Sequence, residues 1–123
     1  MTLLLVLGGA ALGAPARYLT DLLVQSRHDS VMPWGTLTVN AAGSLILGCT
    51  AAAATAGAPG WVLTVVGTGF CGALTTFSTF GFETVRLVEE GSVLEALGNV
   101  LLSLLIGLAA CFGGWALMAA LLT

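Results

Sequence analysis

Apolar residues fall into four long runs, roughly 3–24, 34–56, 61–82 and 96–122, with short polar stretches between them. A helix needs about 20 mostly apolar residues to cross the hydrocarbon of a bilayer, and each run meets that length. The intervening segments read as connections. Residues 25–33 are polar, residues 57–60 form a Gly/Pro turn ahead of Trp61, and Glu83, Arg86, Glu89, Glu90 and Glu95 mark a charged boundary. Within the runs, small and polar residues recur every four positions. Gly9, Gly13, Arg17 and Asp21 form one such stripe, Asn40, Ser44, Gly48 and Ala52 a second, and Asn99, Ser103, Gly107 and Cys111 a third. Residues four apart share a helical face, and small residues on a face let helices approach closely. The expectation is a single four-span membrane domain over residues 1–123, all helical and self-associating through these stripes.

The third run departs from the others. Its centre, Gly67 to Phe82, reads GTGFCGALTTFSTFGF, with three glycines followed by Thr75, Thr76, Ser78 and Thr79. Glycine frees the backbone from helical geometry, and hydroxyl side chains compete for backbone partners. Irregular backbone at membrane depth is tolerated only where protein packs it or a wet cavity borders it. The sequence therefore predicts a helix broken near its centre, with a site for a small polar or ionic species. Phe77 and Phe80 stand three apart, so a helix after the break carries both on one side. Ring edges are the positive part of the aromatic quadrupole and can face an anion.

Composition sharpens this reading. With 58% hydrophobic and 7% charged residues, the chain carries too little charge to cover a soluble domain. Three arginines without a lysine leave no basic stripe for nucleic acid and no polybasic patch for anionic headgroups. Cys49, Cys71 and Cys111 lie in separate apolar runs, without CxxC spacing, and read as buried apolar side chains. Leu3–Ala11 followed by Ala14-Pro15-Ala16 imitates a signal-peptide cleavage site. No basic residue precedes it and the apolar run continues to Val24, which argues against cleavage. His28 lies in a polar loop without a partner and is assigned no chemistry.

Several polar residues keep two readings. Arg17 is either a side chain reaching the headgroups or a positive charge at an anion entrance, and it can pair with Asp21 one turn on. Asn40 is either an interhelical hydrogen-bond former or a donor to a permeating ion. Glu83 is either an interfacial carboxylate or part of a transport path.

The stretch GFCGALTTFSTF closely resembles the signature of the Fluc (CrcB) family of small fluoride channels, with Ala73 where the family usually has a second glycine. GGAALGAPARY and GTLTVNAAGSLILG add weaker matches, so the resemblance covers essentially the whole chain. It implies a passive, fluoride-selective channel that lets fluoride leave the cytoplasm down its gradient and so confers resistance. Further implications are an antiparallel, dual-topology dimer with two pores, set in the cell inner membrane as a multi-pass protein. The fluoride path implied by the motif matches runs by Asn40, Thr76, Phe77, Ser78, Thr79, Phe80 and Ser103. Asn99 is a weaker candidate where some members have tyrosine, and Gly107 lacks a hydroxyl common in the family. A structural sodium ion is implied at the dimer centre, on the main-chain carbonyls of Gly72 and Thr75. The implied partners are fluoride, the lipid bilayer and a second copy of the chain, or an oppositely oriented paralogue in its place. Arg27 and Arg86 put only a weak positive bias on one side, which is compatible with dual insertion.

Two other classes fit less well. A proton-coupled exporter needs an intramembrane ionisable group, and the second and fourth runs have none. A subunit that only packs against another membrane protein leaves the TTFSTF cluster unused. No nucleophile, base and orienting group occur together, so an enzyme is not expected.

Overall fold

The computed structural model describes residues 1–27 and 30–122, so the reading of His28 lies outside the described residues. The chain is all helical there, as expected, with four helical spans. Helix α1 covers Thr2–Gln25 and runs through Pro15. Helix α2 covers Trp34–Thr55, starting directly after Pro33. The third span is composite. Its first half, α3, joins a short α-helical turn, Gly60–Val62, to a π-helical stretch, Leu63–Cys71, and closes with Gly72–Leu74. Its second half, α4, is Phe77–Glu89. Helix α5 covers Val93–Leu121.

The turns follow local chemistry. Gly57 (φ 107°) and Gly91 (φ 84°) take the left-handed conformation that ends α2 and α4. After α4, Ser92 N–H reaches Leu87 C=O at 2.8 Å, the wide closing bond expected around a left-handed glycine.

Two close crossings hold the spans together. Where α1 meets α3, a Cβ on Gly9 would run into the Val65 carbonyl, and one on Gly13 into the Phe70 carbonyl. Where α2 meets α5, a Cβ on Gly48 would strike the Cys111 carbonyl, and one on Gly114 the Leu45 carbonyl. Backbone thus lies against backbone at both crossings, which suits a membrane, where lipid offers helices no hydrophobic drive to associate and packing must supply it. Contacts of α1 with α2 and of α2 with α3 join the two pairs into one bundle.

These crossings revise one expectation. The glycines of the first two stripes are spent on contacts within the chain, so those stripes carry no argument for self-association. The glycines of the third span also act differently than expected. Gly72 is right-handed helical (φ −61°, ψ −37°), and a Cβ on Gly69 would press on the Val6 carbonyl. Gly69 provides room for α1, Gly67 faces the Leu63 and Leu47 side chains, and Gly72 has open space where a Cβ would stand, while the break falls on Thr75 and Thr76.

Candidate functional site: the break in the third span

Thr75 (φ −81°, ψ 161°) and Thr76 (φ −151°, ψ 119°) are extended, and the helix stops and restarts around them. An interruption of this kind exposes carbonyls at the end of one helix and N–H groups at the start of the next. The chain satisfies part of this demand by side chains. Asn40 on α2 brackets Thr76: its Oδ1 accepts from Thr76 N–H at 2.7 Å, and its Nδ2 donates to Thr76 C=O at 3.1 Å. The Thr76 N–H is thereby diverted from the Gly72 carbonyl, its partner in an unbroken helix. Thr75 remains tied back to Cys71 C=O, by its N–H at 2.9 Å and its hydroxyl at 2.8 Å. Arg17 Nη1 reaches the Thr75 carbonyl over a long 3.4 Å. The expected pairing of Arg17 with Asp21 is replaced by this contact, and the Asp21 carboxylate lies against Gly35 at the start of α2.

Thr76 also caps α4. Its Oγ1 accepts from Thr79 N–H at 3.2 Å and donates to Thr79 Oγ1 at 3.0 Å, with Ser78 Oγ at 3.4 Å. A threonine at this position satisfies one of the free N–H groups of the first turn. The pattern T-x-S-T therefore folds into a cap in which the Thr76 hydroxyl accepts from Thr79 N–H and donates to Thr79 Oγ1. Ser78 and Thr79 are exposed on the chain.

Two cavities flank the break, and Thr76 borders both. One, of about 320 Å³, is lined by Asn40, Gly43, Ser44, Gly72, Thr75 and Phe77 among others. The other, of about 240 Å³, is lined by Arg17, Tyr18, Asp21, Thr36, Thr76 and Thr79 among others. Asn40, Gly72, Thr75, Thr76 and Phe77 are thus brought together at one cavity, and Arg17 and Thr79 at its neighbour. Phe80 borders neither; its ring lies 5.8 Å from that of Phe77 at a 45° tilt. Ser103 stands apart on α5, donating to Asn99 Oδ1 at 3.4 Å.

Some residues at the site were not singled out from the sequence. Thr36 is buried and faces the Glu83 carboxylate. Glu83 is itself only 9% exposed, and its Oε1 meets no donor among the described residues, so it is not a carboxylate facing headgroups. The signal for Thr36 was available: it lies one turn before Asn40 on the same stripe.

Chemically, the break sets two unlike ends side by side. The carbonyl end of α3 suits a cation, and the N–H end of α4, ringed by hydroxyls, suits an anion. Four spans with a broken helix at their centre define a multi-pass membrane protein with an ion-binding geometry inside the bundle. The family model described as "CrcB-like protein, Camphor Resistance (CrcB)" matches residues 4–115. The fluoride-specific ion channel FluC 1 of Frankia casuarinae is 58% identical over 98% of this chain and 95% of its own length. That of Streptomyces avermitilis is 51% identical over 93% of each chain, and the FluC of Aliivibrio salmonicida 44% identical over 89% of each. The chain belongs to the CrcB family, whose relatives named here are ion channels and not enzymes.

Proposed function

We propose that this chain forms a passive fluoride-selective channel through the cell inner membrane, with the broken third span at the centre of its path. The names of its relatives support fluoride as the ion. The observation that carries the reading is the start of α4 at mid-span, with the Ser78 and Thr79 hydroxyls exposed beside it and Asn40 at its edge. A small, strongly hydrated anion must exchange water for donors. Asn40 Nδ2 spends one hydrogen on Thr76 and has a second for the cavity. Thr76 holds the others in place, and Ser103 borders the path from α5, with its hydroxyl hydrogen turned to Asn99 Oδ1. Phe77 and Phe80 border this path with ring edges, and Arg17 gives its approach a positive charge. No lysine occurs in the chain, so beyond Arg17 larger anions meet no fixed charge on the path that would offset their poorer fit. Purified protein in liposomes should release fluoride down its gradient, allowing export from the cytoplasm and resistance. Efflux of chloride at a comparable rate would overturn the selectivity.

Assembly as an antiparallel dual-topology homodimer with two pores rests on exposure at the site. Phe77 is 83% exposed, beside exposed Ser78 and Thr79, in the middle of a span. Hydroxyls there would face lipid in a lone chain, and a second copy would cover them. An oppositely oriented paralogue is the alternative partner. A structural sodium ion at the dimer centre fits the Gly72 and Thr75 carbonyls: the first has lost its helical donor, and the second retains a lone pair beyond the Arg17 contact. Oxygen ligands of this kind suit a hard cation, which would neutralise the carbonyl end of α3. Cysteines introduced at the N-terminus and in the 25–33 loop should each label from both membrane faces in cells making only this chain. Exchange of sodium for N-methylglucamine should lower the melting temperature. One-sided labelling would reject dual topology, and an unchanged melting temperature would reject the ion.

A further inference from the structure

Helix α4 has no helical continuity with α3, so something else must set its rotation. At the break that is Asn40. About two turns further along α4 a second amide is buried against it: Asn99 on α5 is 1% exposed, among the most completely buried side chains of the bundle. Its Nδ2 donates to Thr84 Oγ1 at 2.8 Å, and Thr84 Oγ1 donates in turn to Phe80 C=O at 2.8 Å. Ser103 Oγ donates to Asn99 Oδ1 at 3.4 Å. The donors therefore all run one way, from Ser103 through Asn99 and Thr84 to the Phe80 carbonyl. Chains of this kind strengthen one another in a low dielectric. Phe80 and Thr84 are four residues apart and share a side of α4. Fastening Thr84 to α5 thus fixes the direction in which Phe80 faces.

We infer that Asn99 and Thr84 are positioning residues that set the orientation of Phe80 through an interhelical hydrogen-bond relay. This rests on the reading of Phe80 as bordering the fluoride path. Neither residue borders the two cavities at the break. The relay uses both ends of the amide at position 99, Oδ1 as acceptor from Ser103 and Nδ2 as donor to Thr84, and an apolar side chain there leaves Thr84 without its donor.

The test combines flux with a probe of ring position. Thr84→Val and Asn99→Leu should each lower fluoride flux in liposomes by about tenfold, the size of one lost buried hydrogen bond. Thr84→Ser, which keeps the hydroxyl, should restore parental flux. The double variant should lose no more than either single, because both break one relay. Elution volume should not change. With 4-fluorophenylalanine at position 80, the 19F resonance should shift in both single variants and hold its parental position in Thr84→Ser. An unmoved resonance in Thr84→Val and Asn99→Leu, or additive losses in the double variant, overturns the relay. If the parent conducts no fluoride, the functional reading fails by itself, while the resonance still decides whether Asn99 and Thr84 orient Phe80.

Discussion

Asn40→Ala is expected to abolish ion flux and lower stability together. Two backbone groups of Thr76 depend on this side chain, its N–H at 2.7 Å and its C=O at 3.1 Å. Each buried group left unpaired costs about 1–3 kcal/mol, and at membrane depth little water is available to replace the amide. The Thr76 N–H would then turn to the Gly72 carbonyl and the break would begin to close into helix. Asn40→Asp separates the roles. It keeps an acceptor for Thr76 N–H and loses the donor, so it should retain more of the melting temperature than Asn40→Ala while conducting no better. The readouts are melting temperature in detergent and fluoride efflux from liposomes. Parental stability in Asn40→Ala would show that the break does not depend on α2.

Phe80→Ile should cut fluoride flux by about tenfold or more with the protein still assembled. Isoleucine keeps much of the volume but has no ring edge, and aromatic electrostatics of this kind are worth ~1 kcal/mol or more. Repacking at a half-buried position should stay within ~1–3 kcal/mol. Phe80→Met is the companion variant, because its polarizable thioether offers a soft contact in place of the edge and should retain part of the flux. Flux lost at unchanged elution volume supports the ring edge as a contact of the ion. Parental flux in both variants would make the pair of rings, 5.8 Å apart, a packing feature.

The four spans were legible because apolar runs of membrane length have few other uses, and the turn after α2 was marked by the Gly/Pro segment 57–60. The position of the break was legible too, although its cause was not. Glycine-rich sequence announced irregular backbone, yet Gly69 and Gly72 remain helical and the threonines bend the chain. A glycine required for space and one required for conformation look alike in a sequence; only the crossing helix distinguishes them. The π-helical stretch Leu63–Cys71 left no periodic trace, since an apolar run is apolar at any residue-per-turn count. Partner choice was the least legible. The stripe of Asn99 and Ser103 pointed into the bundle correctly, but that Asn99 would meet Thr84 depends on the register of α4 against α5. Arg17 likewise found the Thr75 carbonyl at the break in place of the carboxylate on its own helix, because helix crossing brought an acceptor nearer to hand.

The placement of the break also bears on how a channel built this way would respond to voltage. Residues 60–74 lead into it and the 13 residues of α4 lead out, a rise of about 20 Å for the latter. An anion held at the break would therefore sit near the middle of the transmembrane field and sense roughly half of it, about 1.2 kcal/mol per 100 mV. In an antiparallel pair the two breaks would lie at the same depth with opposite polarity. Whatever rectification one protomer imposed, its inverted copy would cancel, leaving a conductance that is the same in either direction across the membrane.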